Sequence, residues 1–314
     1  MKKKIILLTS LFTVVAGSLV AQQDKLITHF MYDKMSLNPG ETGVDQGSNS
    51  ICGNTIYRNQ WDKVNGAPNS AVLNVESNLT KLHGGIGISF FHDAIGFSRQ
   101  NNVLLNYAFH QSLNAGTISG GIGVGIVNFG MSPTWVPPQT MIDPTLPKEF
   151  AATSLDLNFG VYWKGNGNYY AGISSTHLNE SLLKQTVATV PQQYQMARHY
   201  NMMGGYKIIG IGGSDGDLDI QTIMRTDLVK FSADINARYV WRNIAYGGLT
   251  FRTSDAVAVM VGWMPLPNFT VGYSYDATIN KLASVSRGSH EMMIKYCYYL
   301  PKPPLTISNH PRWL

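Results

Sequence analysis

Apolar and polar side chains alternate with a period of two along most of the chain after residue 48. The clearest case is the stretch 289–299. Met292, Ile294, Tyr296 and Tyr298 share one face of it, whereas Glu291, Lys295 and Cys297 share the other. Successive side chains of a β-strand point to opposite sides, so this pattern predicts a strand with one apolar, tyrosine-rich face. Such a strand fits between lipid and a water-filled lumen, because aromatic rings collect where a membrane meets water.

The same alternation predicts fourteen strands, an even number, as in single-chain bacterial outer-membrane barrels. They cover 48–58, 69–76, 84–92, 100–111, 116–129, 153–164, 168–175, 200–209, 217–226, 231–241, 244–253, 256–264, 268–276 and 289–299. The predicted fold class is therefore all-β, a transmembrane antiparallel β-barrel of about fourteen strands that occupies 48–299. A soluble secreted β-sandwich is the alternative.

The polar face of 231–241 favours a barrel with a wet lumen. Asp234, Asn236 and Arg238 occupy alternate positions, between apolar residues that face the other way. Three such groups in a row would be costly to bury in a dry core, because each would lose its hydrogen bonds to water. A lumen that contains water or polar partners removes this cost.

The residues before the first strand form a separate segment, 22–47, which does not alternate. Residues 30–37 could make two helical turns, and Asn38-Pro39-Gly40 would end them. In 116–129, alternate glycines from 121 to 125 form one face, and glycine lets another segment approach a sheet closely. The lead-in 22–47 is therefore predicted to lie at the periplasmic mouth or to plug part of the lumen.

The composition indicates export. Lysines at 2–4 precede an apolar run from Ile5 to Val20, and Ala21 follows it, which predicts a cleaved signal peptide over 1–21. An uncleaved membrane anchor is the alternative. Removal of the predicted signal peptide takes away three of the 24 basic residues and none of the 19 acidic ones, so the remaining charge is 21 − 19 = +2. This charge does not indicate nucleic-acid binding. The 31 glycines, 16 tyrosines and low charged fraction of 14% are typical of an outer-membrane barrel.

Loop lengths predict the orientation of the barrel. The loops 130–152, 176–199 and 277–288 are long, whereas the turns 164–168, 242–243 and 265–268 are short. Outer-membrane barrels have short periplasmic turns and longer surface loops, so the long loops are predicted at the cell surface. The tail 300–314 contains several prolines, which cannot donate to a sheet. It is predicted to be either a disordered end or a docking peptide for a periplasmic partner.

The two cysteines are predicted to lie close together. Cys52 is near the start of the first predicted strand, and Cys297 is near the end of the last. Antiparallel closure of the barrel brings both to the same end, and alternation puts both on the inner face. The predicted compartment is oxidising. Whether the two form a disulfide is left open, because bonding needs Cα atoms within about 7 Å and suitable Cβ directions.

Charged residues and histidines near strand ends predict a salt-bridge network in the lumen or at its rim. Its predicted members are Arg58, Asp93, Asp234, Arg238, Arg252, Asp255, Asp276, His290 and Glu291. Catalysis at the rim is the alternative, but no serine or aspartate can be tied to a histidine by spacing. Histidine and cysteine spacings do not indicate a metal site. We therefore predict a protein that is not an enzyme and has no cofactor.

Several patches along nearly the whole mature chain carry a family resemblance. They include Thr28-His-Phe-Met-Tyr-Asp-Lys-Met-Ser-Leu-Asn-Pro39, Tyr57-Arg-Asn-Gln-Trp61, Tyr107-Ala-Phe-His110, Gly272-Tyr-Ser-Tyr-Asp276 and Gly288-Ser-His-Glu-Met292. In their order and spacing these patches resemble the PorP/SprF family, outer-membrane proteins of the type IX secretion and gliding machinery. The chain departs from the family pattern at 41–50, which is unusually acidic and polar.

The resemblance implies an outer-membrane barrel that binds other proteins. The implied partners are a secreted adhesin with a type B C-terminal domain, and periplasmic ring lipoproteins or a peptidoglycan-linked partner. The barrel would help to secrete the adhesin or hold it at the surface. Aromatic residues in or beside the long loops would then be contact sites, namely Trp135, Phe150, Tyr194 and Tyr200. Alternatively, these aromatics only fold the loops. A channel for small or hydrophobic solutes is a separate alternative for the function.

Overall fold

The structure, a computed structural model, describes residues 25–47, 49–134, 149–187, 190–211 and 215–300. The predicted signal peptide, Trp135 and the tail beyond Leu300 lie outside these residues. Within them, helices are too short and too polar to cross a membrane.

Fourteen strands close an antiparallel barrel, which confirms the predicted fold class. In chain order the strands of the described residues are β1 (Ser50–Asn59), β2 (Asn69–Leu79), β3 (Gly84–Ile95), β4 (Ser98–Leu113), β5 (Gly116–Met131), β6 (Phe150–Gly165), β7 (Tyr169–Thr176), β8 (Leu182–Val187), β9 (Val190–Gln195), β10 (His199–Ile209), β11 (Gly216–Thr226), β12 (Phe231–Trp241), β13 (Ala245–Arg252), β14 (Ala256–Leu266), β15 (Phe269–Thr278) and β16 (Ser289–Tyr299). β8 and β9 form a separate hairpin, and β1 pairs with β16 to close the barrel.

The two ends of the barrel differ. At one end β1 begins and β16 ends, and the turns between strands are short; we call it the disulfide end. At the other, the long-loop end, lie the connections from β5 to β6, β7 to β10 and β15 to β16. Not every turn there is long, because β3 and β4 are separated only by residues 96–97. Two 3₁₀ turns, Thr80–Leu82 and Lys281–Ser284, lie in connections at opposite ends.

Alternation along the strands separates an apolar outer face from a polar inner one. Exposed apolar side chains of the outer face include Leu105, Ile122, Ile173, Leu249 and Val259. Buried polar side chains of the inner face include Asn106, Ser119, Asn158, Gln221 and Asn236. An outer face of this kind is stable against lipid, and inward polar groups can find partners in the lumen.

Residues 25–47, which we call the plug, lie inside the barrel. A 3₁₀ turn (Phe30–Tyr32), a short helix α1 (Lys34–Leu37) and a second 3₁₀ turn (Pro39–Glu41) follow one another. Asn38 separates the last two: its side-chain oxygen accepts a hydrogen bond from the Gly40 amide at 2.9 Å. Its side-chain nitrogen donates to the Val161 carbonyl of β6 at 3.1 Å, so the turn is attached to the wall.

Apolar contacts hold the plug in place, and a glycine of the wall leaves room for it. Phe30 and Leu37 are buried in one apolar cluster with Met203, Ile223 and Met260 of the wall. On strand β5 of the wall, Gly121 faces the second 3₁₀ turn, and a Cβ atom there would overlap the Pro39 carbonyl. The wall glycine therefore permits the close approach of the plug.

The hairpin β8–β9 was not foreseen, because 176–199 was predicted to be an irregular loop. β6 continues beyond the residues that pair with β7, and β8 lies beside this extension. Leu183 and Met196 of this connection pack on Phe129 and Phe150, whose side chains face inward. Contacts with inward side chains of the wall therefore order the connection between β7 and β10.

Candidate functional site

Five charged side chains from five different strands meet inside the barrel near its long-loop end. This ion-pair cluster consists of Arg58, Asp234, Arg252, Asp276 and Glu291, all almost fully buried. Arg58 Nη2 lies 2.7 Å from Asp276 Oδ2, and Arg58 Nη1 lies 3.1 Å from Glu291 Oε2. Arg252 Nη2 lies 3.1 Å from Asp234 Oδ2, and Arg252 Nη1 lies 3.3 Å from Asp276 Oδ2. Asp276 therefore joins the two arginines.

The strand register explains why these residues meet. Arg58 of β1 is directly opposite Glu291 of β16, and Asp234 of β12 is directly opposite Arg252 of β13. Cross-strand neighbours on one face have Cβ atoms about 4.5–5.5 Å apart, within reach of such side chains. Barrel closure supplies the first pair, because β1 and β16 are at opposite ends of the chain.

The ion-pair cluster also holds the start of the plug. The Thr28 and His29 amides donate to the two oxygens of Glu291 at 2.8 and 2.7 Å. His29 Nδ1 lies 2.7 Å from Glu291 Oε1, and the Thr28 hydroxyl donates to Asp276 at 2.8 Å. The carboxylates of the wall thus satisfy both charged partners and backbone groups of the plug, as buried polar groups require.

A second polar group lies nearer the disulfide end. Arg238 donates to Asp219 at 2.6 Å and to the Tyr32 hydroxyl of the plug at 2.8 Å. Lys34 Nζ of the plug lies 2.6 Å from Asp45 Oδ2. Burial alone lowers the pKa of Lys34, but the Asp45 carboxylate raises it well above its ordinary value. Burial raises the pKa of Asp45, but the nearby Lys34 and then Lys164 lower it below its ordinary value.

The two cysteines are joined by a disulfide. Cys52 of β1 is directly opposite Cys297 of β16, and their Cα atoms lie 4.0 Å apart. Both side chains are buried on the inner face. The bond therefore links the first and last strands at the end of the barrel where β1 begins and β16 ends.

Besides Arg238, three residues predicted for the network lie elsewhere or at its edge. Asp93 accepts a hydrogen bond from Ser70 at 2.6 Å on another part of the wall. Asp255 is at the edge of the ion-pair cluster, 3.4 Å from Arg252. His290, predicted for the lumen or its rim, lies on the outer face near the long-loop end: its ring lies beside the exposed Tyr273, with Nδ1 2.7 Å from that hydroxyl. His290 precedes the inward Glu291, and adjacent residues of a strand face opposite ways.

The predicted contact aromatics divide into different environments. Phe150 is buried against Phe129, so its prediction as a partner contact is wrong in this conformation. Tyr194 stacks on Phe129 with ring centres 3.7 Å apart. Burial and then Asp93 raise the pKa of its hydroxyl to about 12. Tyr200 is exposed on the outer face of β10. Tyr194 thus helps to fold the β7–β10 connection.

A cavity of about 340 Å³ opens beside the ion-pair cluster at the long-loop end. We call it the mouth pocket; its lining includes Leu26, Trp61, Arg225, Lys230, Phe231 and Leu282. Sequence reasoning did not select Arg225 or the plug residues Thr28 and His29. For Arg225 a signal exists, since Asp219, Gln221 and Arg225 alternate in β11 as the polar residues of β12 do. The described residues offer no group of three or more potential ligands for a metal ion.

A closed antiparallel barrel with an apolar outer face and a charged interior defines the class of outer-membrane β-barrel proteins. The family model of the type IX secretion system membrane protein PorP/SprF matches residues 19–296. The chain belongs to this family, which confirms the resemblance noted in the sequence. No curated protein matches the chain.

Solved structures with the same fold are distant in sequence. The Ralstonia pickettii toluene transporter TbuX has 10% identity and a TM-score of 0.53, with 86% of this chain and 94% of TbuX covered. The CymD monoaromatic hydrocarbon channel has 10% identity and a TM-score of 0.54, with 86% and 93% covered. A FadL homologue of Pseudomonas aeruginosa has 7% identity and a TM-score of 0.50, with 83% and 92% covered. At these identities the likeness establishes the fold alone.

Proposed function

We propose that this outer-membrane barrel binds the type B C-terminal domain of a large secreted adhesin and helps to secrete it or hold it at the surface. The family match supports work with the type IX secretion system. Periplasmic ring lipoproteins or a peptidoglycan-linked protein are proposed partners at the disulfide end, where the tail 300–314 would dock. The protein acts by binding, without catalysis.

One observation carries the proposal: the lumen contains a plug that is attached to the wall on several sides. Glu291 accepts three bonds from the plug, Val161 accepts one from Asn38, and Arg238 donates one to Tyr32. Breaking a buried pair by removing one partner costs about 3–5 kcal/mol, so these attachments oppose opening of the lumen. The surfaces left for a partner are then the loops at the two ends.

The long-loop end offers an apolar surface of the kind that protein partners cover. Leu228 and Val229 in the turn before β12 are exposed, as are Ile279 and Val285 in the loop before β16. Contiguous exposed apolar residues often mark interaction sites. We propose that the adhesin domain docks on this end, which would face the outside of the cell.

A channel for small or hydrophobic solutes is the second candidate. The fold likeness to TbuX and CymD favours it, since one is a toluene transporter and the other a monoaromatic hydrocarbon channel. The buried attachments of the plug disfavour it. In planar bilayers we expect the wild-type barrel to give no steady conductance. A steady conductance, or permeation of toluene into liposomes that carry the barrel, would support the channel instead.

Capture of a purified adhesin domain tests the first proposal. The full-length barrel in mild detergent is mixed with the type B C-terminal domain, and an unrelated β-sandwich domain serves as the negative control. We expect the double variant Ile279→Ser, Val285→Ser to weaken capture at least tenfold. Ile244→Ser, at another exposed position in a short turn at the disulfide end, should leave capture unchanged. No capture by the wild type would contradict the proposed function. Weaker capture by Ile244→Ser, with capture by the double variant unchanged, would place docking at the disulfide end and contradict docking at the long-loop end.

A further inference from the structure

A second cavity, of about 330 Å³, lies between the plug and the wall towards the disulfide end. We call it the lysine pocket. Met31 and Tyr32 of the plug line one side of it, and Gly165 and Asn168 of the turn between β6 and β7 line another. Because that turn is at the disulfide end, a ligand would enter from this end and stop at the plug.

The lining of the lysine pocket carries more positive than negative charge. Five of its side chains are basic and two are acidic: Lys34, Lys164, Lys207, Arg238 and Lys295 against Asp45 and Asp219. Asp219 pairs with Arg238 at 2.6 Å, and Asp217 pairs with Lys207 at 3.0 Å. Only Asp45 then remains for the other three cations of the lining.

Two lysines share the Asp45 carboxylate. Lys34 Nζ lies 2.6 Å from Asp45 Oδ2, and Lys164 Nζ lies 3.0 Å from Asp45 Oδ1. A single carboxylate neutralises only one of them, so one positive charge is left over. The Lys164 side chain is 44% exposed, and its ammonium group can therefore meet a ligand without a change in the wall.

Lys295 supplies the second surplus charge. It forms no ion pair or hydrogen bond among the described residues. Its Nζ lies 5.9 Å from the centre of the Tyr32 ring, and Tyr32 itself lines the lysine pocket, which places the ammonium group at the cavity. Lys295 is only half-buried, and its Nζ keeps accessible surface.

Two acids near Lys295 do not take up its charge. Glu41 and Glu76 act on Lys295 electrostatically, but neither forms an ion pair with it, and neither lines the lysine pocket. The two oxygens of Glu76 accept hydrogen bonds from the Gly43 amide at 2.7 Å and the Gln46 side chain at 2.8 Å. An anion in the pocket would therefore reach Lys295 without displacing a carboxylate.

The surplus charges favour an organic anion with two negative groups. An ammonium group is a compact point charge with three donors, and it pairs with carboxylates. Such a pair is stronger in a partly desolvated cavity than in bulk water. Tyr32 and Tyr170 also supply ring surface to the lining, and tyrosine rings pack well on the apolar parts of a peptide.

We propose that the lysine pocket binds an acidic peptide segment presented from the disulfide end, with Lys295 and Lys164 each receiving one carboxylate. Lys34 and Arg238 keep their internal partners and hold the plug beside the ligand. The identity of the peptide as part of a periplasmic partner rests on the proposed function. The preference of the pocket for carboxylates does not.

The test compares two peptides on the full-length protein in a non-ionic detergent at low salt. One probe is Ac-Gly-Glu-Gly-Glu-Gly-amide, and the other has glutamine in place of both glutamates. Isothermal titration calorimetry gives the dissociation constants. We expect the wild type to bind the glutamate peptide about tenfold more tightly, as two charge-assisted contacts permit. Equal affinities would overturn the proposal, and this comparison needs no variant that could fail to fold.

Variants then locate the receptor. Lys295→Gln and Lys164→Gln should each weaken the preference for the glutamate peptide, and the double variant should abolish it. The matched control is Lys281→Gln, which removes the same charge from an exposed position at the long-loop end and should keep the preference. A preference that survives in the double variant, or that falls equally in Lys281→Gln, would overturn the inference.

Competition identifies the kind of anion. Glutarate, a small dicarboxylate, should displace the glutamate peptide, and inorganic phosphate at the same concentration should displace less of it. Stronger displacement by phosphate would overturn the carboxylate assignment. Wild-type capture of the adhesin domain together with equal binding of the two peptides would reject the lysine pocket alone. Preferred binding of the glutamate peptide without capture of the adhesin domain would reject the proposed function alone.

Discussion

His29 Nδ1 in the plug lies 2.7 Å from Glu291 Oε1 in the last strand of the barrel. Neither atom is exposed to solvent, since both side chains have 0% relative exposure. The same carboxylate accepts the Thr28 and His29 amides and pairs with Arg58 of the first strand. Glu291 therefore connects the plug, the seam of the barrel and the ion-pair cluster.

Glu291→Gln should release the start of the plug. The amide has one acceptor oxygen where the carboxylate has two, and its NH₂ group would face donors, so we expect a loss of about 3–5 kcal/mol. Hydrogen exchange at the Thr28 and His29 amides should accelerate. Glu180→Gln is the matched control, because Glu180 forms an exposed pair with Arg198 and should cost less than about 1 kcal/mol. Unchanged exchange in Glu291→Gln would contradict the role of this carboxylate.

Gly121→Ala should displace the plug from the wall. The new methyl group would overlap the Pro39 carbonyl, and overpacking of this kind costs about 1–3 kcal/mol. Gly120→Ala is the control, because the neighbouring glycine faces outward with no atom within 4 Å of an added Cβ. Limited proteolysis between residues 25 and 47 measures the displacement. Equal cleavage of the two variants would mean that the plug does not need the small residue.

The stability of the plug should fall as the pH rises, through Glu41. Burial, then Glu76 and then Asp45 raise the pKa of Glu41 well above its ordinary value, although Lys34 and Lys295 oppose them. The folded state therefore keeps a proton above the unfolded pKa of about 4.3, and stability is lost between that value and the raised folded pKa.

Glu41→Gln tests this dependence, because glutamine mimics the protonated carboxyl at every pH. The variant should match the wild type near pH 4 and be more stable than it at pH 8. Melting temperatures of both proteins across this range give the comparison, and groups that do not interact with Glu41 cancel in the difference. Parallel curves would show that Glu41 does not titrate as inferred.

Phe129→Ala should loosen the hairpin β8–β9. Phe129 stacks on Tyr194 and lies in the apolar cluster with Leu183, and loss of a buried phenyl ring costs about 3–5 kcal/mol. Hydrogen exchange in β8 and β9 should accelerate. Phe109→Ala removes an equal ring from the exposed outer face of β4 and should leave the hairpin protected. Protection in both variants would mean that other contacts order it.

Cys52→Ser should remove a covalent link between the first and last strands. The two cysteines are separated by 245 residues, and the chain-entropy estimate for so long a loop is about 5 kcal/mol. After heat denaturation on a non-reducing gel, the wild type should migrate faster than the variant, because its unfolded chain is cross-linked. Reductant should abolish the difference. Equal mobility without reductant would exclude the bond in the purified protein.

Alternation along the chain was enough to predict the barrel and the faces of its strands. The inward direction of Asp234, Arg238, Glu291 and Cys297 follows from parity alone, and the same rule places His290 on the outer face. Antiparallel closure was enough to bring Cys52 near its partner. These inferences succeed because the side-chain period of a strand is two, whatever its neighbours are.

Contacts between distant segments could not be read from local patterns. Thr28 and His29 carry no periodic signal, and their bonds to Glu291 span 263 and 262 residues. Phe150 looked available because it lies in the predicted long loop 130–152, yet the hairpin covers it. Whether an inward side chain meets water, the plug or a hairpin depends on what enters the lumen, which strand parity does not record.

The sequence alone determined a barrel of fourteen strands, its apolar outer face and its seam, because lipid on one side and polar groups on the other impose an alternation that local residues display. Only the tertiary structure decided how the plug is held and which charges form the ion-pair cluster. These features depend on distances between side chains far apart in the chain, and the closed barrel sets those distances.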